Sequence, residues 1–377
     1  MRILVLNHEF PPIGGGGGRV AEDICRELVR LGYKIKILTA HLRGLPPEEQ
    51  RYGFHIIRLR SLRTEAYRAS LLSMAAYVLA GLWAGYRLVR KFQPDVIHAH
   101  FAVPAGALAW MLSRLTHIPY VLTAHLGDVP GGVPEKTAGW FHWIFPFTRP
   151  IWQKAESVVA VSEFTRLLAL PHYPVKIRVI PNGVDVDALR PELIRVNDPP
   201  QIVFAGRFMP QKAPLQVIRV LAELKDSPWQ CAMIGDGPLM ADVKREIMEY
   251  GLEDRITLPG WIDPQQVLGW FDRSDILFMP SLSEGFPVVG VQALAKGLAI
   301  VASRVGGLVD LVDHDRNGCL IEQDALSHFT ACLRGLLSDP NRLLAYRKAS
   351  LEKAADFDIH HIAQQYHEIF LDVVNDH

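Results

Sequence analysis

Arg207 and Lys212 stand in AGRFMPQKAP, just after an apolar run and just before a helical stretch. Cations fixed at the C-terminal end of a strand suit a diphosphate, because guanidinium and ammonium groups both neutralise phosphate oxygens and hydrogen-bond to them. Near the start of the chain five consecutive glycines, Gly14 to Gly18, follow MRILVLNHEFPPI. Ordering each one costs up to about 1 kcal/mol relative to alanine, so the run implies close backbone approach to something, and the helix behind it offers unpaired N–H groups to an anion. His125 and Asp128 in TAHLGD add an imidazole and a carboxylate after another apolar run. Asp185-Val186-Asp187 has a metal-like spacing, and His98 and His100 share one strand face. The DVD triplet runs into an irregular segment, however, and Arg207 and Lys212 already supply positive charge, so no catalytic metal is expected.

These residues need a scaffold, and hydrophobic periodicity supplies one. In the first half, strands read as Ile3–Leu6, Lys34–Thr39, His55–Leu59, Val96–His100, Tyr120–Ala124, Val158–Val161 and Lys176–Ile180. The glycines join the first strand to a helix carrying Val20, Ile24, Leu28 and Leu31 and stopping at Gly32. LRPELIRVNDPP, residues 189–200, has three prolines and no periodicity, and a domain boundary is expected there. A second series follows in QIVFAGR, CAMIGDGP, RITLPGW, DILFMPS, AIVASRV and GCLIE, again alternating with helices. Such alternation implies two mostly parallel α/β sheets. A final helix is expected over 359–374, with no strand after it.

Composition narrows the class. The 377 residues, 49% hydrophobic, can bury two sizeable cores. Residues 1–188 carry 22 Lys and Arg against 14 Asp and Glu, and the remainder carries 18 against 26, so the halves have opposite net charge. Cys25, Cys231, Cys319 and Cys332 lie far apart without metal-type spacing, which reads as a reduced, cytoplasmic protein without disulfides. No signal peptide is expected before the first strand. The apolar run Ala69–Tyr86 approaches membrane-spanning length but continues through RLVRKFQPD into VIHAH, and is expected to be a buried helix.

A dinucleotide cofactor fits the glycines poorly. Gly16, Gly18 and Ala21 satisfy G-x-G-x-x-A, yet residues 8–13 separate the strand from the glycines. The second strand ends Thr39-Ala40-His41, without the acid that would hold a ribose. A different resemblance covers nearly the whole chain. PPIGGGGG, HAHF, TAHLGD, VSEFT, PNGVD, GRFMPQK, IGDGPL, SEGFP and RVGGLVDLV occur in the order found in the retaining glycosyltransferases of family 4, also called group 1. The chain resembles these enzymes, which implies an α/β chain of GT-B fold: two Rossmann-like, doubly wound parallel-sheet domains facing across a cleft. The implied division is an N-terminal domain 1–188 on the acceptor side, a linker 189–200, a nucleotide-sugar-binding domain 201–356, and a terminal helix 357–377 returning to the first domain.

The resemblance also implies roles. Arg207 and Lys212 match the pair that neutralises the donor diphosphate. Gly14 and Gly15 match a glycine pair that approaches phosphate and sugar, with Gly16 beside them, and larger residues are common where Gly16 to Gly18 stand, which implies a mobile loop. Glu284 matches the first acid of an E-x7-E motif, accepting bonds from donor-sugar hydroxyls. Gly285, Phe286, Pro287 and Val288 open a helix toward sugar and phosphate. Gly235 and Trp261 are also donor-binding positions. Where the second Glu would bind ribose, this chain has Gln292, which keeps one acceptor but loses the charge. His125 matches a residue near the anomeric centre and Asp128 one near the acceptor. The implied chemistry is metal-independent front-face transfer of a hexose from a nucleotide-sugar, UDP favoured and GDP possible, without an enzymic nucleophile or cofactor.

The acceptor is the least constrained part. Arg58, Arg60, Arg63 and Arg68 cluster, and GWFHWIFPF (139–147) places Trp140, Phe141 and Trp143 nearby. Together they suggest a peripheral face toward an anionic membrane and a cell-envelope glycan or lipid-linked acceptor, with no nucleic acid. A soluble acceptor, a nucleotide-sugar epimerase and a weakly catalytic sugar-nucleotide sensor are the alternatives.

Overall fold

A computed structural model of the chain describes residues 1–66, 69–133 and 141–376, with backbone alone at 141–143. The chain divides into two compact units, Met1–Gly183 with Ile359–His377, and Val184–Asp358. The first border falls ahead of the proline-containing stretch 189–200. That stretch packs within the second unit, where Asn197 donates to Asp275 and Arg347 donates to the Arg195 carbonyl.

Unit 1 is built on an eight-stranded sheet in the order β3-β4-β2-β1-β5-β6-β7-β8. Its strands are β1 (Arg2–Leu6), β2 (Lys34–Leu42), β3 (Glu48–Arg51), β4 (Phe54–Arg63), β5 (Val96–His100), β6 (Tyr120–Ala124), β7 (Ser157–Ala160) and β8 (Ile177–Val179). All pairs are parallel except β3 with β4, a hairpin the alternating pattern did not reveal. Its turn, Tyr52-Gly53, has positive φ at both residues, the arrangement whose twist matches paired strands. Helix α1 (Gly16–Arg30) buries Val20, Ala21, Ile24, Cys25 and Leu28 and ends at Leu31, which is exposed. Helices α2 (Leu71–Phe92) and α3 (Ala107–Thr116) pack on each other, and α4 (Phe141–Gln153) packs on α3.

Unit 2 has six parallel strands: β9 (Gln201–Ala205), β10 (Gln230–Ile234), β11 (Ile256–Gly260), β12 (Ile276–Met279), β13 (Ala299–Ser303) and β14 (Gly318–Ile321). Their spatial order, β11-β10-β9-β12-β13-β14, is the doubly wound 3-2-1-4-5-6 arrangement. Chain direction reverses around β9 and β12, so loops leaving these neighbouring strands diverge and open a crevice. Two helices matter further: α5 (Val288–Ala295) in this unit, and α6 (Ile359–Asn375), which belongs to unit 1.

The cysteine expectation is corrected here. Cys319 on β14 is disulfide-bonded to Cys332, while Cys25 and Cys231 are free and buried. The helix Leu326–Ser338 packs back on β14 and closes a separation of 13 residues that carries no recognisable motif.

Candidate functional site

In unit 2 the sheet assembles the sequence-predicted residues at its topological switch. Arg207 follows β9 and Lys212 closes the turn Pro210–Lys212, while Glu284 follows β12. Lys212 and Glu284 are 72 residues apart in sequence, yet Lys212 Nζ lies 2.5 Å from Glu284 Oε1. Glu284 is almost fully buried, and the Ser281 hydroxyl donates to the same oxygen at 2.7 Å. A buried carboxylate costs several kcal/mol unless paired, and this ammonium and hydroxyl supply the pairing. Oε2 accepts no bond among the described residues and is free for a ligand hydroxyl. Lys212 has two N–H groups beyond the one given to Glu284. Arg207 is half-buried and has no acidic partner among the described residues. Its charge is therefore available to an anion.

Glycines hold these loops by contact. A Cβ on Gly235, whose φ is +143°, would lie 1.9 Å from the Gly206 carbonyl oxygen, so the IGDGP loop packs backbone-to-backbone on the AGRF loop. A Cβ on Gly306 would lie 1.7 Å from the Glu284 carbonyl oxygen, and the Gly307 amide donates to that oxygen at 3.1 Å. RVGG thus supports Glu284 from behind, a role that its presence in the motif order did not disclose. Pro287 caps α5 without a side-chain bond, so Glu284 is not the cap, and the first-turn amides and positive helix end remain available. Phe286 is buried and packs 5.2 Å from the Phe357 ring, fixing the Gly285–Val288 turn. Gln292, one turn into α5, is partly exposed and its side-chain amide makes no bond among the described residues. Trp261 is half exposed just past β11.

In unit 1 the candidate residues gather at the ends of β1, β5 and β6. His125 follows β6 and caps the turn Leu126–Asp128: the Asp128 amide donates to its side chain, and its own amide donates to Asp128 Oδ2 at 2.8 Å. Asp128 is buried and acts as the positioning group of His125. The imidazole stacks on Phe101 at 4.1 Å. Phe101 itself holds φ +72° at the end of β5, an unusual backbone for a non-glycine residue that nothing in HAHF announces. Burial pushes the His125 pKa down from 6.5 to about 4; Glu9 offsets part of that and His8 adds to it. The ring is therefore neutral near pH 7. With Nδ1 accepting from Asp128, the proton sits on Nε2, which is buried with no hydrogen-bond partner among the described residues. It is a donor prepared for a ligand oxygen.

The glycine run divides by function. Gly14 has φ +89° and its amide donates to the Ala66 carbonyl at 2.8 Å. A Cβ on Gly17 would meet the rings of Phe101 and His125 at 3.0 and 3.1 Å, and one on Gly18 would lie 1.8 Å from the Glu9 carbonyl oxygen. Gly17 and Gly18 are thus close-packing positions, which corrects the expectation of a loop loosened by small residues. Gly15 caps α1 with nothing within 4 Å of its Cβ position, and Gly16 begins the helix.

His98 and His100 sit deeper. His98 Nε2 is 2.8 Å from Thr123 Oγ1, which is 3.1 Å from the Tyr366 hydroxyl on α6. Burial drives the His98 pKa to about 3 and that of His100 well below 6.5. Asp185 caps the turn Val186–Leu189 by accepting from the Ala188 amide, and among the described residues no cluster of three or more His, Cys, Asp or Glu has metal-site geometry.

The arginine patch is corrected. Arg58 is buried, donating to Glu49 at 2.6 Å and to the Pro46 carbonyl. Arg63 is buried as well, donating to the carbonyls of His8, Glu65 and Ala66. Arg60 is exposed, whereas Arg68 and Trp140 lie outside the described residues, as do the side chains of Phe141 and Trp143. The alternation of β4 breaks between Arg58 and Arg63, where its register with β2 shifts, so both turn inward although they lie five residues apart, and carbonyls and a carboxylate accept them.

The chain matches the family model described as Glycosyltransferase Family 4 over residues 14–188 and that of Glycosyl transferases group 1 over 185–353. It is 26% identical over 366 residues to a 2-deoxystreptamine glucosyltransferase of Streptomyces kanamyceticus, covering 90% of this chain and 94% of the relative. In structure it is similar to sucrose-phosphate synthase from Thermosynechococcus elongatus, with TM-score 0.86, 22% identity and full coverage of both chains. It is also similar to Anabaena HepE in complex with UDP-glucose, with TM-score 0.75 and 18% identity over 99% of this chain and 100% of that one.

Proposed function

The chain belongs to the family 4, group 1 glycosyltransferases, and from that premise we propose a retaining hexosyltransferase that takes a hexose from a UDP-sugar, with a GDP-sugar as the alternative donor. The observation that carries the reading is the Lys212–Glu284 pair together with Arg207, which has no acidic partner among the described residues, at the switch point of the unit 2 sheet. A diphosphate leaving group develops negative charge as the glycosidic bond breaks, and preorganised cations lower that barrier without moving. Arg207 and Lys212 take the diphosphate, and the first-turn amides of α5 assist. Glu284, held by Lys212 and Ser281, accepts from sugar hydroxyls. Gln292 reads the ribose through neutral bonds.

Unit 1 supplies a neutral His125 whose Nε2–H donates to a sugar oxygen, with Asp128 fixing the ring and Gly14 to Gly16 keeping the backbone thin. No residue of this set is a placed nucleophile. Retention then follows from a front-face displacement in which the leaving phosphate oxygen helps take the acceptor proton. Cations already occupy the role a metal would fill, so transfer is expected without one. HepE has been captured with UDP-glucose, and the Streptomyces relative is named a glucosyltransferase, which supports UDP-glucose as the first donor to test.

For the acceptor we favour a cell-envelope glycan or lipid-linked sugar, with the enzyme on the cytoplasmic side where nucleotide-sugars are made. The basic balance of residues 1–188 supports this side of the reading. The Cys319–Cys332 bond gives the location no support, because disulfides are rare in reducing compartments. Incubating the protein with UDP- and GDP-sugars and a panel of acceptors, with NMR of the product anomer, tests the proposal. Transfer with retained configuration that persists in EDTA is expected. An inverted product, or activity lost to EDTA and restored by manganese, overturns the mechanism. Interconversion of nucleotide-sugars without any acceptor supports an epimerase instead.

A further inference from the structure

Helix α2 has 22 residues and an 18-residue window of mean hydropathy 1.3, only 28% of which is buried. Its inner face is fixed. Ser73, Tyr77, Gly81, Gly85 and Val89 are buried, the Tyr77 hydroxyl donates to the Leu38 carbonyl at 2.8 Å, and Gly81 and Gly85 admit Leu108 and Leu112 of α3. A helix locked in this way cannot also cross a bilayer. Its outer face presents Leu72, Leu79, Trp83 and Tyr86, of which Leu79 is 72% and Trp83 67% exposed. Those positions fall on one helical stripe. Exposed apolar stripes of this length are uncommon on a protein surface that meets only water.

Charge identifies what would cover it. No Asp or Glu occurs between Glu65 and Asp95, nor between Asp95 and Asp128, so α2 and α3 carry no carboxylate. Arg87, Arg90 and Lys91 lie exposed at the C-terminal end of α2, and Arg114 lies exposed on α3 beside the exposed Leu115. The Arg87 guanidinium stands 4.7 Å over the Trp83 ring and that of Arg114 5.8 Å over Trp110, so the cations sit directly on the exposed aromatic surface. The adjoining α4 adds Phe147, 76% exposed, and Arg149, again without an acid. Apolar side chains interleaved with cations that have no acidic partner among the described residues match the headgroup region of an anionic bilayer, where indoles and leucines enter the acyl boundary and guanidinium groups meet phosphates. A second copy of the chain fits poorly, because a two-fold contact would set these cations against themselves.

We propose that the solvent face of α2, continued by α3, docks the protein onto an anionic phospholipid surface. This deepens the acceptor side of the reading above, since a surface-bound enzyme meets acceptors carried in the membrane. It replaces the Arg58–Arg68 cluster as the contact.

Flotation of the full chain with phosphatidylcholine vesicles, with and without phosphatidylglycerol, tests it. The wild type is expected to float with phosphatidylglycerol vesicles at low salt and to be released by high salt. Each basic residue adds substantially to such binding, so an Arg87→Gln, Arg90→Gln, Lys91→Gln variant is expected to bind on the order of a hundredfold more weakly. A Leu79→Ser, Trp83→Ser variant is expected to lose at least about tenfold. Both variants should keep wild-type melting and wild-type donor hydrolysis in vesicle-free buffer, which reports the glycosyltransferase reading separately. Failure of the wild type to float overturns the docking face, as does equal binding to vesicles without phosphatidylglycerol. A concentration-dependent dimer abolished by Leu79→Ser, without vesicle binding, assigns the face to a second copy and overturns it equally.

Discussion

The two units place loops at the ends of parallel strands in the same way but fill them with opposite chemistry. In unit 2 the loops after β9 and β12 carry a lysine, a buried carboxylate and an arginine without an acidic partner among the described residues. In unit 1 the loops after β1, β5 and β6 carry glycine backbone, a stacked phenylalanine and a neutral imidazole. One site is suited to fixed negative charge on a leaving group, the other to an uncharged ring with hydroxyls. The difference lies in side chains that each sheet can tolerate, since sheet topology is nearly shared. Charge is kept in unit 2 by pairing across the switch point, whereas in unit 1 burial keeps the imidazole of His125 neutral.

The largest effect should come from removing the charge in unit 2. Lys212→Ala is expected to lower kcat/KM at least about a hundredfold, the scale for losing one preorganised transition-state contact. Steady-state kinetics with the donor checks it, and a loss under about threefold would falsify the assignment. The second contrast is acid sensitivity. His98 and His125 have folded pKa values of about 3 and about 4, below the ordinary 6.5, so the unfolded chain binds more protons in between. The stability they contribute is complete above pH 6.5 and is lost as pH falls toward 4, roughly 3 kcal/mol for His125 alone. Denaturant titrations from pH 7 to pH 4.5 should show unit 1 weakening before unit 2, and a flat profile would remove the neutral-histidine account.

Among the glycines the contrast is finer. Gly18→Ala drives a methyl into the Glu9 carbonyl and is expected to destabilise unit 1 by about 3 kcal/mol. Gly15→Ala meets nothing and should leave melting unchanged, so any loss of its activity reports ligand contact. Equal melting of the two variants would contradict the packing described. The smallest expected change is Gln292→Glu, which should tighten UDP binding by roughly 1 kcal/mol as a neutral bond becomes charge-assisted. Calorimetry decides it, and unchanged affinity places the ribose elsewhere.

Much of this was legible beforehand for physical reasons. Parallel strands buried on both faces leave continuous apolar runs, so all thirteen parallel-paired strands were located to within one residue at one end or the other. The exception in pairing, β3, is EEQR, which has no apolar signal. Arg207, Lys212 and Glu284 could be singled out, but their pairing could not, because it depends on which strands become neighbours. The same reason hid Phe101 behind His125, and Gly306 behind Glu284. Arg58 and Arg63 were misread because charge in a sequence does not announce whether a carbonyl waits for it inside. The disulfide was missed because its spacing belongs to no motif.

Helix α6 closes unit 1, yet its residues follow all of unit 2 in the chain. Its Tyr366 hydroxyl meets Thr123, the Tyr366 and Phe370 rings lie against His98, and His360 and His367 bond Glu27 and Tyr33. During synthesis, therefore, residues 1–183 wait for a helix made only after the whole of unit 2, with the flank of β5 uncovered while residues 184–358 are translated and fold. A ribosome stalled after residue 358 would carry a finished second unit and an unfinished first one. Proteolysis of such arrested chains should cut the earlier-made half, reversing the usual order in which domains become protected.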